Sequence, residues 1–260
     1  MCSIALQLYS VRNYTGNDPL ALFHKVRQAG FQTVELAGTY GLSSKELKDY
    51  LEEAGLRAVS AHVALDKLRD EPETVKEDAL TLGLETIVCP YADPETEEEI
   101  HQLAAVLNKM QRLMRPAGIR VGYHNHAHEF KKKDGRCILD RICEAFEEDG
   151  MFIQLDTCWA AFAGADIVDY LEHLGDKTGP VHLKELAKDY SPDDRSTVDA
   201  VLGEGCLDFP AALKVLADNG VLERGLIIEQ EGFDGDPFTQ LKTMHDYVAD
   251  IVRDVQKKEK

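Results

Sequence analysis

One stretch of the chain, ETIVCPYADPETEEEIHQLAAVLNKMQRLMRPAGIRVGYHN at residues 85–125, contains a complete strand–helix–strand unit. Short apolar runs at 85–89 and 119–125 predict two buried strands. Apolar residues at helical spacing between them predict a helix over 95–115, and Asp93-Pro94 marks its start. Two strands joined by a helix in this way are typical of parallel β-sheets.

The same alternation extends over the rest of the chain. Apolar runs predict eight strands, at residues 4–9, 32–36, 57–63, 85–89, 119–125, 151–156, 178–184 and 225–230. Amphipathic stretches predict a helix after each strand, at residues 19–29, 43–54, 72–82, 95–115, 138–147, 165–174, 209–219 and 236–256. A closed parallel barrel of this kind takes roughly 250 residues. We therefore expect an α/β protein with a single (β/α)8 TIM-barrel domain over residues 1–260.

The composition of the chain limits its partners. A formal net charge of −18 at pH 7 opposes binding to nucleic acid, which depends on Lys and Arg neutralising phosphates. The acidic balance also disfavours anionic membranes, and no apolar run approaches the roughly 20 residues that span a bilayer. The start, MCSIALQLYS, lacks the basic segment of a secretory signal, and the six cysteines form no CxxC pair. We expect a cytoplasmic protein with reduced thiols and without nucleic-acid or membrane partners.

Two connections differ from the repeating pattern. Residues 186–208 form a long, charged segment after the seventh predicted strand, and long loops in compact barrels usually have a function. Gly203 and Gly205 within it favour a lid that closes over a substrate, with a simple turn as the alternative. Residues 131–136 predict a β-hairpin with Asp134-Gly135 at its turn.

Polar side chains concentrate where the predicted strands end. In (β/α)8 barrels the carboxyl ends of the strands meet on one face, and this face holds the active site. A strand that only packs needs no imidazole or carboxylate at its end, so their convergence predicts a site. These residues are Glu35, His62, His124, Asn125, His126, Asp156, His182, Lys184, Glu229 and Glu231.

The mixture of imidazole and carboxylate groups indicates one divalent metal ion. Nitrogen and oxygen ligands together suit Zn, Mn or Co, and we expect Mn or Zn first, with Co or Mg as further candidates. Alternation along the fifth strand places His124 and His126 on one side and Asn125 on the other. Neither a GxGxxG nor a GxxxxGK[ST] motif is present, so a nucleotide cofactor is not indicated.

Seven short motifs follow one another along the chain: QLYSVR (7–12), VELAG (34–38), GYHNHAHEF (122–130), LDTCWAAFAG (155–164), VHLKE (181–185), LGEGCLDF (202–209) and IIEQE (227–231). Together they resemble the sugar phosphate isomerase/epimerase family of the xylose isomerase-like TIM barrels. The resemblance covers nearly the whole chain. It implies carbohydrate metabolism, a small sugar or polyol substrate, and a divalent metal held by strands five to eight. Many such barrels form dimers or tetramers, so a homo-oligomer is a further expectation.

The resemblance also implies which residues hold the metal. Carried over by position, Asp156, His182 and Glu229 match three of the ligands. Ketose epimerases place a glutamate at the strand-five position, where this chain has His124. We expect His124 to be the fourth ligand, with His126 and Glu129 as the alternatives. This departure leaves the acid–base pair open, because those epimerases transfer protons with two metal-bound glutamates.

A metal on a sugar carbonyl and its neighbouring hydroxyl stabilises an enediolate, which forms when a base removes the adjacent proton. We expect Glu229 to be ligand and base, with His126 or Glu129 as the second proton carrier. Lys184 is expected to neutralise the developing oxyanion. The residues expected to bind substrate are Glu35, His62, Trp159, Glu231 and Arg12.

Three functions remain open from the sequence. The first is a sugar isomerase or epimerase. The second is a dehydratase or lyase on an inosose or 3-keto-sugar, since the inosose dehydratase branch also has a His-rich fifth strand. The third is a non-catalytic sugar-binding barrel, which predicts metal independence. An apurinic endonuclease is disfavoured because Trp159 occupies the position of a His ligand in that branch.

Overall fold

The computed structural model of the protein describes residues 2–14, 16, 18–195 and 198–258. Within them, eight parallel strands form the predicted barrel, and a two-stranded antiparallel hairpin lies outside it. Each barrel strand lies within its predicted range but is shorter. The strands are β1 (Ile4–Gln7), β2 (Thr33–Leu36), β3 (Arg57–His62), β4 (Thr86–Cys89), β5 (Arg120–His124), β6 (Lys132–Lys133), β7 (Arg136–Cys137), β8 (Phe152–Gln154), β9 (Val181–Leu183) and β10 (Leu226–Ile228).

Several of the helices that return the chain between strands begin at side-chain capping residues. Ser43 and Glu46 form a capping box at the start of one helix, and Thr96 and Glu99 form the same box at another. No helix among the described residues is long and apolar enough to cross a membrane. The helices are α1 (Pro19–Gln28), α2 (Ser44–Glu53), α3 (Leu65–Asp70), α4 (Pro72–Leu82), α5 (Glu97–Met114), α6 (Ile138–Glu144), α7 (Thr157–Phe162), α8 (Ile167–Leu174), α9 (Phe209–Asp218) and α10 (Pro237–Lys258).

The short helices α3 and α7 are not among those that the sequence predicts. Helix α7 begins directly after Asp156, whose Oδ1 accepts a hydrogen bond from the backbone N–H of Trp159 at 2.8 Å. An aspartate three residues before the N–H that it caps is a helix-start signal, and the sequence analysis overlooked it in LDTCW. The predicted strand over 151–156 therefore ends at Gln154, and Asp156 lies at the junction of β8 and α7.

The barrel closes between β8 and β9. The strand order is β8-β5-β4-β3-β2-β1-β10-β9, so these two strands are the ends of the continuous ladder. Two backbone hydrogen bonds join them, from Gly179 N to Ile153 O at 2.8 Å and from His182 N to Leu155 O at 2.9 Å. Closure holds the carboxyl ends of the eight strands around a single rim.

The lower half of the barrel interior is an apolar floor built around the ring of Phe152. Gly122 and Gly179 leave room for the ring, because a Cβ atom at either position would lie 2.3 or 1.9 Å from it, respectively. The guanidinium carbon of Arg120 lies 4.7 Å from the ring centroid. Two residues further along the strand, Gln154 points to the same side, above the floor. Gln154 and Glu35 lie there together with Gln7 and Ser60, and we call these four residues the polar layer.

The connection from β9 to α9 is the long irregular loop that the sequence predicts, apart from residues 196–197, which lie outside the described part. Glu185 anchors this loop: its buried carboxylate accepts hydrogen bonds from the backbone N–H groups of Leu186, Gly203 and Leu207 at 3.0–3.1 Å. A Cβ at Gly205 would lie 2.3 Å from Glu185 Cγ, so only glycine fits there. Movement of the loop as a lid stays a prediction.

The predicted hairpin after the fifth barrel strand is confirmed. Strands β6 and β7 pair Lys132 with Cys137 and Lys133 with Arg136. The two residues between them have positive φ angles, 53° at Asp134 and 79° at Gly135. Asp-Gly is the preferred sequence for a two-residue turn of this kind.

Replacing Gly179 with alanine is expected to destabilise the protein by about 1–3 kcal/mol, the usual cost of an overpacked core. The added Cβ would lie 1.9 Å from Cδ2 of Phe152, so the ring has to move. Urea unfolding of the wild type, Gly179→Ala, Phe152→Leu and the double variant measures the coupling between the two positions. We expect Gly179→Ala to lower the free energy of unfolding less in the Phe152→Leu variant than in the wild type. An equal decrease in both would contradict this packing.

Candidate metal centre and active-site cleft

Three of the four predicted metal ligands meet at the carboxyl end of the barrel. Asp156 follows β8, His182 lies in β9, and Glu229 follows β10. One potential ligand atom from each lies within 4.8 Å of the others, and all three residues are buried. We call these three residues the metal cluster. They converge because each lies at the carboxyl end of its strand.

One buried atom of the metal cluster, Oδ2 of Asp156, has no hydrogen-bond partner within the described part of the chain. A buried polar atom that is left unpaired costs about 1–3 kcal/mol. Nδ1 of His182, also buried, lies 3.0 Å from Oε2 of Glu229, so a single ion can contact both residues. These nitrogen and oxygen atoms fit a divalent transition metal.

The charges of the metal cluster also fit a cation. Burial raises the pKa of Asp156 to about 7, although the ammonium of Lys184 opposes the shift. Burial also acts to raise the pKa of Glu229. The neighbouring Lys184 and His182 outweigh this effect and hold the pKa of Glu229 well below its ordinary value. A divalent cation would remove the repulsion between the two carboxylates. Three protein ligands, with further positions open to substrate oxygens, are typical of catalytic metal sites.

Glu35 holds the His182 ring from beneath the metal cluster. Nε2 of His182 lies 2.5 Å from Oε1 of Glu35, which is fully buried. A carboxylate that accepts the Nε2 proton fixes the ring and leaves Nδ1 for a metal. Burial acts to raise the pKa of Glu35, but His62 and His182 lower it to about 2, so Glu35 is ionised. Burial lowers the pKa of His182, but Glu35 and Glu229 raise it to about 10, so metal binding at Nδ1 displaces a proton.

Protein groups already occupy both carboxylate oxygens of Glu35, which is expected from the sequence to bind a substrate hydroxyl. Gln7 Nε2 donates to Oε1 at 2.7 Å, while Ser60 Oγ and Gln154 Nε2 donate to Oε2 at 2.5 and 2.8 Å. None of these three partners is among the site residues that the sequence predicts. A signal was available, because a glutamine in an apolar strand needs a buried hydrogen-bond partner.

Gln154 also orients two histidines at the rim. Because its Nε2 donates to Glu35, its Oε1 must accept, and this oxygen lies 2.7 Å from His62 Nε2 and 3.0 Å from His124 Nδ1. Both ring nitrogens therefore carry a hydrogen. His62, His124 and His182 form a second group whose ligand atoms lie within 4.8 Å of one another. His124 is outside the metal cluster, so its role as fourth ligand stays a prediction.

Lys184 is buried beside the metal cluster. Its Nζ contacts the carboxylate of Glu231 and lies 3.5 Å from Oε1 of Glu229. The same atom lies 4.7 Å from the ring centroid of Trp159. Burial lowers the pKa of Lys184, but the neighbouring carboxylates outweigh this effect and raise it above its ordinary value. Lys184 is therefore a fixed positive charge directly next to the predicted base.

The mouth of the site is formed by partly exposed side chains. Arg12 Nη2 lies 3.7 Å from Oε2 of Glu231, and about a third of each side chain is exposed, 32% and 31% respectively. The Arg12 guanidinium lies 3.8 Å above the ring of Tyr9, and Nη1 donates to the Tyr9 carbonyl at 2.8 Å. Arg12 and Glu231 can therefore contact a ligand that enters from the solvent.

His126 and Glu129 lie on different sides of the segment that follows β5. Burial lowers the pKa of His126 to about 4, so its imidazole is neutral, and its Nδ1 has no hydrogen-bond partner among the described residues. Glu129 is fully buried behind the strand, where Tyr123 Oη and the His126 backbone N–H donate to its carboxylate at 2.7 and 2.9 Å. Glu129 lies outside the metal cluster, so its role as ligand or proton carrier stays a prediction. Its carboxylate holds the turn after β5.

A cleft of about 680 Å³ opens over the site. A second cleft of about 460 Å³ is lined by Arg12 and shares Tyr9 with the first. Both volumes lie within the range of roughly 300–1,000 Å³ that is usual for small-molecule sites. On the metal side, the larger cleft is lined by His62, His124, His126, Trp159, Glu229 and Glu231.

The profile of a known protein family, described as xylose isomerase-like TIM barrel, matches residues 23–251. The chain belongs to this family. The family that the sequence motifs resemble is thereby confirmed. Because the match runs from α1 to α10, it includes every residue of the metal cluster and the polar layer beneath it, except Gln7.

Named relatives of this xylose isomerase-like barrel include both dehydratases and epimerases. The inosose dehydratase of Clostridium botulinum is 27% identical over 238 residues, which cover 78% of each chain. A sugar phosphate isomerase/epimerase from Parabacteroides distasonis superimposes with a TM-score of 0.81 at 23% identity, covering 96% of this chain and 98% of that one. An L-ribulose 3-epimerase superimposes with a TM-score of 0.76 at 17% identity over 100% and 97% of the two chains. At these identities the structural similarity establishes the fold alone.

Replacing Glu35 with glutamine is expected to weaken metal binding by about 10–100-fold, the usual effect of losing a partner behind a metal-ligating histidine. Titration calorimetry with Zn or Mn measures the affinity, and circular dichroism checks the fold. Ser60→Ala is the matched control, because Ser60 donates to the other oxygen of Glu35 and does not contact His182. Unchanged metal affinity in a folded Glu35→Gln variant would show that Glu35 does not orient the ligand.

Proposed function

We propose that this barrel is a divalent-metal-dependent sugar isomerase or epimerase that acts on a keto-sugar or related polyol through an enediolate. The observation that carries the proposal is the convergence of Asp156, His182 and Glu229, whose potential ligand atoms lie within 4.8 Å of one another. Among the described residues Oδ2 of Asp156 has no hydrogen-bond partner, and Glu229 lines the cleft. Membership of the family, and relatives named as sugar isomerases, epimerases and inosose dehydratases, support the proposal.

The metal cluster would hold the ion, with His124 as the proposed fourth ligand. Because Nδ1 of His124 carries a hydrogen toward Gln154, Nε2 is the atom that His124 would contribute. A divalent cation in this position supplies Lewis-acid stabilisation of negative charge on the carbonyl oxygen and neighbouring hydroxyl of a substrate. Mn or Zn is proposed first, because the donors are a mixture of imidazole and carboxylate groups.

Glu229 is the proposed base. The low pKa of its carboxylate keeps it ionised at neutral pH, so it can accept a proton from the carbon next to the substrate carbonyl. The electron pair of that C–H bond becomes the carbon–carbon double bond, and negative charge moves to the carbonyl oxygen. The ammonium of Lys184, 3.5 Å from Glu229 Oε1, is placed to stabilise this charge. The hydroxyl on the deprotonated carbon then gives its proton to the charged oxygen and becomes the new carbonyl, while Glu229 returns its proton to the former carbonyl carbon, which gives the isomer.

His126 is the proposed second proton carrier. Its neutral imidazole lines the cleft, and a neutral imidazole can both accept and donate a proton. Isomerisation can proceed with one base, whereas epimerisation needs a proton delivered to the opposite face of the same carbon. With Glu129 outside the cleft, His126 is the candidate for that delivery.

Four residues at the rim are proposed to bind the substrate. The face of Trp159 lies under the Lys184 ammonium and offers an apolar surface for a sugar ring. His62 and Glu231 line the same cleft and can hydrogen-bond to hydroxyl groups. Arg12, which lies 3.7 Å from Glu231, would hold that carboxylate in position or contact an acidic group of the substrate.

A second candidate function is dehydration of an inosose or another keto-polyol. The curated relatives named inosose dehydratase favour it, at 27% identity in the Clostridium botulinum enzyme. The position of Glu129 favours it as well, because the metal cluster then holds one glutamate and not the two of a two-glutamate epimerase. In this reaction Glu229 takes the same proton and the enediolate forms. The carbonyl then re-forms, the electron pair of the carbon–carbon double bond shifts by one carbon, and the β-hydroxyl leaves as water with a proton from His126, which His126 regains from Glu229.

The two candidates predict different products from the same first step. Protein loaded with Mn, Zn or Co is incubated in D₂O with ketoses, 3-keto-sugars and inososes, and NMR follows deuterium exchange next to the carbonyl. Exchange with a new sugar isomer supports the first candidate, and exchange with an unsaturated product supports the second. Sugar binding without exchange, equal with and without metal, would make the barrel a non-catalytic sugar-binding protein.

Replacing Glu229 with glutamine is expected to slow exchange by about 10²–10⁴-fold, the usual contribution of a general base. Glu129→Gln is the matched control, because the same substitution there removes a carboxylate that lies outside the cleft. Metal content is measured in each variant by atomic emission, since Glu229 is also a proposed ligand. Full exchange in metal-loaded Glu229→Gln, or an equal loss in Glu129→Gln, would overturn the assignment of the base.

A further inference from the structure

His126 differs from the other histidines at the rim in the way its ring is held. The polar layer fixes the rings of His62, His124 and His182 by hydrogen bonds. Among the described residues, hydrogen bonds reach only the backbone of His126, and its Nδ1 is buried without a partner. The torsion that turns an imidazole about its bond to Cβ has broad minima. Packing therefore decides which way the His126 ring faces.

Within the described part of the chain, four aromatic rings pack next to the His126 imidazole. The ring centroids of His124, His128 and Trp159 lie 5.1, 6.1 and 5.9 Å from its own. The fourth ring, that of Tyr91, lies 5.6 Å away at an angle of 70°, in the edge-to-face arrangement that aromatic pairs prefer. The first three residues are buried, whereas Tyr91 is 53% exposed and lines the cleft with His126.

The backbone next to Tyr91 keeps its exposed ring in place. The N–H of Ala92 donates to Tyr123 Oη at 3.1 Å, and the Ala92 carbonyl accepts a hydrogen bond from His128 Nε2 at 2.7 Å. The His128 ring also lies 5.1 Å from the Tyr91 ring. Tyr91 is therefore tied to the same segment after β5 that carries His126.

The exposure of Tyr91 makes it the changeable part of this packing. Buried rings are closely packed and do not move aside, so His124, His128 and Trp159 restrict the imidazole on their sides. The Tyr91 ring borders the open cleft. A smaller side chain at this position would give the His126 ring room to turn.

We infer that Tyr91 is a positioning residue, whose ring holds the His126 imidazole in the cleft for proton delivery. The inference rests on the proposed function for the task of His126. Because the contact is made by the ring and not by the hydroxyl, phenylalanine can replace Tyr91. Glu229 removes its proton without this contact, so losing the ring affects the step of His126 and leaves the first step intact.

Crystal structures of the wild type, Tyr91→Phe and Tyr91→Leu test the position of the ring without any substrate. Tyr14→Leu is the matched control, because Tyr14 is 41% exposed and is not among the described residues that line either cleft. We expect His126 in one side-chain conformation in the wild type, Tyr91→Phe and Tyr14→Leu, and in more than one in Tyr91→Leu. A single, unchanged conformation in Tyr91→Leu would mean that the other three rings suffice, and would overturn the inference.

Turnover tests the consequence, with the ketose or inosose that exchanges fastest with the metal-loaded wild type. We expect Tyr91→Leu to lower kcat for the epimer or the unsaturated product by about tenfold or more at unchanged KM, which is less than the roughly 10²–10⁴-fold contribution of a proton carrier because His126 is still present. Deuterium exchange into the remaining substrate should persist, and Tyr91→Phe and Tyr14→Leu should match the wild type.

Three kinetic results would contradict the inference. They are an equal loss of exchange and product formation in Tyr91→Leu, an equal loss of product formation in Tyr91→Phe, and a rise in KM at unchanged kcat, which would make Tyr91 a substrate contact. If no keto-sugar or inosose exchanges with the metal-loaded wild type, the proposed function fails. The crystal structures still decide in that case whether Tyr91 holds the His126 ring.

Discussion

The hydrogen bond between Glu35 and Nε2 of His182, 2.5 Å long inside the barrel, is the interaction on which the candidate site depends. It keeps Glu35 charged in a fully buried position and leaves Nδ1 of His182 directed at the neighbouring carboxylates. A buried charge is stable only when its hydrogen bonds are complete. Gln7, Ser60 and Gln154 complete them, and each comes from a different strand of the barrel.

The polar layer and the apolar floor beneath it support one another. The ring of Phe152 fills the floor and separates the layer from the lower end of the barrel, and Gln154 follows two residues later on the same strand. Gln154 then connects Glu35 to His62 and to His124 at the rim. The residues of the metal cluster therefore lie within a strand or one to two residues beyond its end, where the barrel positions side chains more rigidly than a long loop does. The loops add the features that vary within a fold, such as the mouth of the cleft.

Much of this architecture could be predicted from the sequence, because its signals are local. Apolar runs, capped helices and strand-end motifs were enough to predict the eight barrel strands and to bring Asp156, His182 and Glu229 together. The role of Glu35 could not be predicted, because its partner His182 lies 147 positions away and the pairing exists only after the barrel closes. The orientation of the Glu129 side chain depends on the turn after β5. The alternation of side chains along a strand does not continue into this turn, so it could not predict that orientation.

The central claim is that one ion lies between Asp156, His182 and Glu229 while Glu35 holds the histidine from behind. The most direct measurement is an anomalous difference map at the zinc edge from crystals grown with Zn. We predict one peak roughly 2.0–2.2 Å from Asp156 Oδ2, His182 Nδ1 and a Glu229 oxygen, with Nε2 of His182 still bonded to Glu35. A peak among His62, His124 and His182 instead, or no peak in the cleft, would contradict the claim.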